Sequence, residues 1–331
     1  MNRGVIGALS LSVSFALLGG CGGSQPPISA RGVMPQARAI KEHVERSKSW
    51  MLPEAKNQDL IYVSDLGMGA YGIVDVLTYP KGDLIGSITD FPASPAFLCS
   101  DDQGNVFVPT SGTASQSYVY EFAHGGTTPI ATLSDPGYAQ SCAFDHTTGN
   151  LAVANGNTVA IYQNAQGGPT IYESSDIAAN YCSYDGSGNL FVDGMLNNTL
   201  GELPKNGSTF ESIPLSQDIG PISIQWNNGS FAISGGGGNS HGPQEIFQVS
   251  ITGSEGIVSG PTRLIGKRNR KPNTVQFWIQ GNTIIGPDRG SHDAIRLLNL
   301  WNYPQGGKAK KSIKLRRSAL FGVTVSLAPH R

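Results

Sequence analysis

The sequence predicts an all-β fold, a six-bladed β-propeller whose first blade is closed by the last strand of the chain. Three features predict it: the composition, a repeat of about 45 residues, and a predicted strand at the end of the chain that has no partner in its own repeat. Among 331 residues there are 43 glycines and 20 prolines, and only 14% of residues are charged. Long runs of helix formers are nearly absent, so short strands joined by turns are favoured.

The first half of each repeat is a turn that ends near Gly-Asn and leads into a β-branched or aromatic run. Aspartate before such a turn accepts backbone N–H bonds, and glycine supplies the left-handed conformation. A strand is therefore expected on each side of the turn. The copies are DDQGNVFV (101–108), DHTTGNLAV (145–153), DGSGNLFV (185–192), NNGSFAI (227–233) and QGNTIIG (280–286), with QDLIYVSD (58–65) as a degenerate first copy.

The second half of each repeat is a pair of alternating strands around a glycine-rich turn, as in IYQNAQGGPTIY (161–172). Period-two alternation with glycine at the turn indicates a hairpin, so each repeat holds four strands. The first copy lacks its innermost strand, and ALFGVTVSL (319–327) has no partner within its own repeat. We expect this terminal strand to complete the first blade and close the ring.

The Gly-Asn turns resemble those of the NHL-repeat and gluconolactonase-like six-bladed β-propellers. The resemblance covers residues 58–328 and implies the propeller fold, whereas function transfers poorly between proteins that share so common a fold. It rests on Asp102/Gly104/Asn105, Asp145/Gly149/Asn150 and Asp185/Gly188/Asn189.

In the gluconolactonase-like family a divalent cation is held on the axis by carboxylates and an asparagine. The resemblance therefore implies candidate ligands for Ca²⁺ or Mg²⁺ at the ends of the second strands, where no clear counterpart of the family's glutamate is present. We otherwise predict no cofactor. The candidates are Asp65, Asn155, Asp193 and Asp288.

The stretch DGSGNL (185–190) spaces its oxygens like a calcium loop, but Leu190 and Leu196 occupy the positions where an EF-hand needs glycine and glutamate. We expect a structural turn. Cys99, Cys142 and Cys182 share one repeat position, which predicts that they lie on the innermost strands of three consecutive blades. A shared buried structural role is expected rather than a disulfide framework, with a thiol metal site as the alternative.

The N-terminus predicts export. Arg3 is followed by an apolar stretch at 5–18, and Leu18-Gly19-Gly20-Cys21 resembles the lipobox of bacterial lipoproteins. The resemblance implies that residues 1–20 are removed and that acylated Cys21 holds the protein in membrane lipid, at the outer membrane or cell surface. An ordinary cleaved signal or a simple anchor is the alternative. Residues 21–57 are predicted to be a tether with a short helix at 36–50, followed by the propeller at 58–328.

Charge is uneven along the chain. Residues 257–331 carry 14 Lys/Arg and 2 Asp/Glu, against 9 and 22 in residues 1–256. A basic edge for anionic partners is one interpretation, and solvated strand edges are the other. The candidate residues are Lys308, Lys310, Lys311, Arg316 and Arg317.

No P-loop or H-E-x-x-H motif is present in the sequence. The stretch SGGGGNSHG (234–242) contains the letters of G-x-S-x-G, but no helix is predicted after it, so we expect a long loop rather than a strand-to-helix nucleophile elbow. Trp226, Phe277, Trp278 and Trp301 are expected to pack between blades rather than to form a binding stripe. We therefore expect a binding module for a protein, glycan or envelope component rather than an enzyme. A metal-dependent hydrolase, such as a lactonase, and an envelope-complex scaffold are the alternatives, and nucleic acid is not an expected partner.

Overall fold

A computed structural model describes residues 48–66, 72–112, 117–194, 198–236, 245–269, 271–288, 297–315 and 319–329. The predicted signal, Cys21 and most of the tether lie outside these residues, as do Arg316 and Arg317. In the described part of the chain, the helical segments are short 3₁₀ helices at Pro53–Asn57, Gln163–Ala165 and Lys267–Asn269. None of the described helices is long and apolar enough to cross a membrane.

The first three sheets follow the predicted repeats. Their strands in chain order are β1 (Trp50–Met51), β2 (Leu60–Asp65), β3 (Ile73–Thr78) and β4 (Leu84–Ile88); then β5 (Ser94–Pro95), β6 (Cys99–Ser100), β7 (Val106–Ser111), β8 (Ser117–Phe122) and β9 (Pro129–Asp135); then β10 (Ser141–Phe144), β11 (Leu151–Ala154), β12 (Thr158–Tyr162) and β13 (Thr170–Glu173).

The remaining strands form three further sheets and the closing strand. They are β14 (Ala179–Tyr184), β15 (Leu190–Gly194), β16 (Thr199–Leu203) and β17 (Glu211–Pro214); then β18 (Pro221–Asn227), β19 (Ser230–Gly235), β20 (Glu245–Thr252) and β21 (Glu255–Ile265); then β22 (Trp278–Gln280), β23 (Thr283–Asp288), β24 (Leu297–Asn302) and β25 (Gly306–Lys314); and finally β26 (Leu320–Ser326).

The innermost strands of the sheets contact one another in a closed order. Strand β6 contacts β10, β10 contacts β14, β14 contacts β18, β18 contacts β22, β22 contacts β26, and β26 returns to β6. Strand β26 pairs antiparallel with β2, with Tyr62 opposite Thr324. The predicted all-β propeller and its closure by the terminal strand are confirmed.

The outer edge of the first sheet corrects the predicted helix at 36–50. Trp50 and Met51 form strand β1 and pair with Ser87 and Gly86 of β4, so the described end of that segment is extended rather than helical. The edge of the first sheet offers backbone partners that an extended segment satisfies, and residues 36–47 lie outside the described part of the chain. Among the described residues, pairing with the first sheet includes Trp50 and Met51, which come before the predicted boundary at 58.

The core lies between neighbouring sheets, so each middle strand is buried on both faces. In β11, Leu151 and Val153 pack toward the second sheet, and Ala152 and Ala154 pack toward the fourth. This explains why the second strands of the repeats read as nearly continuous apolar runs instead of alternating ones.

The fifth and sixth sheets are joined by a contact that the sequence pattern did not indicate. Strand β21 pairs in parallel with β25, with Leu264 opposite Gly307 and Ile265 opposite Lys308. The start of the basic strand β25 is therefore a paired edge.

Candidate functional site

The repeat turns are built by their aspartates, as predicted. Asp185 Oδ1 accepts the backbone N–H of Ser187 at 2.8 Å and of Asn189 at 2.8 Å, while Asn189 Nδ2 donates to Asp185 Oδ2 at 2.9 Å. In the second sheet, Asp101 makes the same three bonds, with the backbone N–H of Gln103 and with the backbone and side chain of Asn105. Asp101 therefore occupies the structural position that the resemblance assigned to Asp102.

Gly188 shows why the turn needs glycine. Its φ is +89°, and a Cβ at this position would lie 2.6 Å from Thr147 Oγ1 in the neighbouring turn. Any other residue would meet both a strained backbone and a clash. The ligand-like spacing of DGSGN therefore serves the turn.

The three cysteines lie on the inner strands β6, β10 and β14, as predicted, but the expectation of one shared role rather than a disulfide was wrong for two of them. Cys99 and Cys142 form a disulfide between neighbouring sheets, with Cα atoms 5.6 Å apart. The ring brings equivalent positions of adjacent inner strands close enough for a disulfide. The odd number of cysteines had argued against a disulfide framework, but it does not prevent two of the three from pairing. Cys182 remains a buried thiol, and burial raises its pKa to about 12, so it is not a reactive nucleophile.

Asp193 is buried at the end of β15, with 1% exposure. Its carboxyl group accepts the backbone N–H of Tyr181, while Oδ2 has no hydrogen-bond partner. Burial raises the pKa of Asp193 well above its usual value, which favours the neutral acid. By strand alternation Asp193 shares the face of Phe191, whose ring packs on Phe231 of the fifth sheet.

Asn155 lies one step further along its repeat than Asp193 and on the other face of its sheet. Its amide packs against Gly137, which lies in the segment after β9 of the second sheet. The contact is so close that a Cβ added to Gly137 would lie 2.6 Å from Asn155 Cγ. Asn155 therefore faces the second sheet, and Asp193 faces the fifth.

The other two candidate ligands are hydrogen-bonded within the fold. Asp65 Oδ1 accepts the backbone N–H of Ala319 at 3.1 Å. Asp288 accepts the backbone N–H of Asn273 at 3.0 Å and the side-chain amide of Asn299 at 3.3 Å. Among the described residues, no three His, Cys, Asp or Glu side chains lie close enough together to hold a metal ion. The Ca²⁺ or Mg²⁺ site stays a prediction.

The predicted basic edge lies on β25, the outermost strand of the sixth sheet. The side chains of Lys308, Lys310 and Lys311 are exposed. Lys310 Nζ donates to Thr283 Oγ1 at 2.8 Å, and Lys311 Nζ donates to the backbone carbonyl of Lys81 in the first sheet. Two of the three lysines therefore also hold neighbouring elements in place.

A cavity of about 200 Å³ lies among the inner strands β6, β10, β14, β18 and β22. Its wall also includes Asp185 and Gly186 of one repeat turn and His146 and Thr147 of another, so it opens at the face where the turns lie. None of the four predicted axial ligands lines it. We call this the axial cavity.

The opposite end of the axis is filled by side chains. Phe97 stacks on Phe321 at 4.1 Å and contacts Tyr181 at 4.5 Å between ring centres, near the beginnings of β14 and β26. Gln276 Oε1 accepts the backbone N–H of Val323 at 2.8 Å, and its Nε2 donates to the carbonyl of Leu98 at 3.0 Å. These residues separate the axial cavity from the ends of the second strands.

Half-buried aromatic rings surround the mouth of the axial cavity. They belong to Phe144, Trp226 and Trp278, and beside them His146 Nδ1 lies 2.7 Å from Asp102 Oδ1, with both of those side chains about 60% exposed. The four aromatics expected between blades all pack against core clusters: Phe277 and Trp301 are buried, while Trp226 and Trp278 are partly buried and also border the cavity. A signal was present in the sequence: Phe144 and Trp226 each directly precede a turn's Asp or Asn, where an inner strand ends.

Comparisons with known proteins identify a shared fold. No family model and no curated protein matches this chain. A structure of a nidogen/laminin complex is 12% identical, with a TM-score of 0.61, covering 82% of this chain and 99% of that chain. A protein of unknown function from Bacteroides caccae is also 12% identical, with a TM-score of 0.61, covering 81% and 99%.

A third similar structure is Kuenenia stuttgartiensis hydrazine synthase, at 13% identity and a TM-score of 0.51, covering 69% of this chain and 67% of that chain. Identities this low show a common fold and transfer no ligand or reaction. The chain is a β-propeller similar to proteins with different functions.

Proposed function

We propose that this chain is an exported, membrane-anchored β-propeller that binds a protein, glycan or other envelope component at the turn-face mouth of its axial cavity. The observation that carries the proposal is the group of half-buried rings at that mouth, Phe144, Trp226 and Trp278. Partly exposed aromatic rings beside a cavity combine large apolar area with little conformational entropy to lose, which is typical of binding surfaces.

The rigidity of this surface supports the same proposal. Most of the cavity wall is formed by the inner strands, with turn residues at its mouth, and the Cys99–Cys142 disulfide joins two of these strands. Gln225 fixes two more, since its side-chain amide exchanges hydrogen bonds of 2.7 and 3.1 Å with the backbone of Ile279. A preformed site loses little entropy on binding.

Export is supported by two independent features. The lipobox-like stretch before Cys21 directs acylation, and the Cys99–Cys142 disulfide fits an oxidising compartment outside the cytosol. Cys21→Ser is expected to move the protein from the membrane to the soluble fraction of lysed cells. A variant that stays with the membrane would contradict the lipid anchor.

The binding surface is tested by site-specific photocrosslinking in intact cells. A photoreactive phenylalanine analogue replaces His146 at the mouth or, as a control, Ile130, which is 58% exposed on the outer strand β9. We expect a discrete adduct from position 146 and none from position 130. The adduct should be lost when Trp278→Ala is added to a protein whose circular dichroism is unchanged. Equal labelling at both positions, or none at position 146, would contradict the proposed surface.

A further inference from the structure

A second cavity lies between the third and fourth sheets, away from the axis. Its volume is about 340 Å³, within the range of small-molecule sites. Ile161, Leu190 and Leu203 provide apolar surface in it. Its polar lining includes Asn150, Gln163, Thr170, Lys205 and Asn206. We call it the side groove.

Tyr184 is the unusual residue of the side groove. It lies on β14 with 8% exposure, and its buried hydroxyl group has no hydrogen-bond partner. The hydroxyl is near enough to Cys182, Asp145 and Tyr172 to interact with them electrostatically, and Asp145 and Tyr172 line the groove. A buried hydroxyl without a hydrogen-bond partner lowers the stability of the folded protein by about 1–3 kcal/mol. We therefore expect this hydroxyl to bond to a molecule that is not part of the chain.

Tyr162 provides the contrast within the same fold. It is also buried, but its hydroxyl donates to the backbone carbonyl of Ser134 at 3.0 Å and to Asp135 Oδ2 at 2.8 Å. The packing between sheets can therefore satisfy a tyrosine hydroxyl where only structure is needed. Tyr184 lacks such partners and borders a cavity instead.

The charged groups of the side groove are already engaged. Lys205 Nζ donates to Thr147 Oγ1 at 2.9 Å. Asp145 accepts the backbone N–H and the hydroxyl of Thr147 and the hydroxyl of Thr148. One cation and one anion offset each other, so the groove favours a neutral ligand with many hydroxyl groups over a strongly charged one.

From this arrangement we infer that the side groove binds a neutral saccharide unit, with the Tyr184 hydroxyl hydrogen-bonded to a sugar hydroxyl. The half-buried ring of Tyr172 offers an aromatic surface for the C–H groups of a sugar ring, and the amides of Gln163 and Asn206 serve its outer hydroxyls. Tyr184 also lines the axial cavity, but Tyr172, Gln163 and Asn206 line the side groove alone, so the inference does not rest on the aromatic mouth proposed above.

The test uses the purified full-length protein with glucose, galactose, mannose and N-acetylglucosamine as neutral probes and glucuronate as the charged one. Saturation-transfer NMR detects contact, and titration gives Kd. We expect at least one neutral sugar to bind, and Tyr184→Phe to weaken its binding about tenfold, the loss of one hydrogen bond. Gln163→Ala should weaken it less.

Stability measurements separate this role from a structural one. Tyr184→Phe should leave the thermal midpoint of the sugar-free protein unchanged or raise it, because the hydroxyl it removes has no partner. The matched control Tyr162→Phe should lower the midpoint and leave sugar binding intact. The inference would be overturned if the NMR experiment showed saturation transfer to no neutral sugar, or if glucuronate alone bound. It would also be overturned if Tyr184→Phe bound the sugar with the affinity of wild type, or if that variant lost as much stability as Tyr162→Phe.

Discussion

The two ends of the axis differ in what their side chains do. At the turn face, aspartates such as Asp185 are occupied by their own backbone, and aromatic rings border an open cavity. At the other end, Phe97 and Gln276 fill the space between inner strands, and Asp193 is buried without a partner for one oxygen. The turn aspartates are thus structural, whereas the open cavity at the same end is bordered by aromatic rings.

The largest expected effect comes from the disulfide at the turn end. Cys99→Ser with Cys142→Ser frees a loop of 43 residues and should lower the free energy of unfolding by about 3–4 kcal/mol. Urea denaturation measures it, and Cys182→Ala, which removes the buried thiol, is the control. A double variant no less stable than the control would show that the ring does not depend on this link.

The filled end is tested by Gln276→Leu. This change removes the amide that bonds to Leu98 and Val323 and leaves their backbone groups unpaired in a buried place. We expect a loss of about 2–3 kcal/mol in urea denaturation. Gln225→Leu, which breaks a similar amide-to-backbone pair at the turn end, is the matched variant. If only Gln225→Leu destabilises the protein, the hydrogen bonds of Gln276 contribute nothing to its stability.

The buried acid gives a pH-dependent difference. Since burial raises the pKa of Asp193 in the folded protein, its contribution to stability is fully present below the unfolded pKa of about 3.9 and is lost as pH rises toward the folded value. Asp193→Asn should therefore gain stability relative to wild type between about pH 4 and 8. Urea titrations at several pH values measure this, with the exposed Asp218→Asn as control. A constant difference between wild type and Asp193→Asn would refute the buried acid.

The smallest expected effect is that of metal ions. Asp65 and Asp288 hydrogen-bond to the backbone, and Asn155 and Asp193 face different sheets, so adding Ca²⁺ or Mg²⁺ should not raise the thermal midpoint. Ligands stabilise only when they bind the folded state more tightly than the unfolded one. A clear rise with either ion, reversed by a chelator, would restore the predicted axial site.

Much of the fold could be predicted because its strands and turns are specified by residues that lie close together in the sequence. The turn aspartates bond to neighbours within four residues, Gly188 supplies the left-handed backbone of its own turn, and the apolar runs between turns favour strands. The unpaired final strand predicted ring closure because a lone strand needs a partner. The helix at 36–50 was predicted from a weak stripe, and its described end, Trp50, pairs with an open sheet edge instead.

The site was less predictable because it depends on contacts between repeats. The ring alone brings Cys99 to Cys142 and places Trp226 and Trp278 at one mouth. Asp193 and Asn155 look equivalent along the chain, but a shift of one residue turns them to opposite faces of their sheets. The Tyr184 hydroxyl is unpaired only because of what packs around it.

The sequence by itself determined most strands and turns of the propeller, because these follow from hydrogen bonds and periodicity within about 45 residues. Only the tertiary structure decided which polar groups are satisfied and where a cavity remains. The reason is physical: closing the ring sets distances between residues far apart in the chain, and burial then decides whether a carboxyl or hydroxyl group finds a partner.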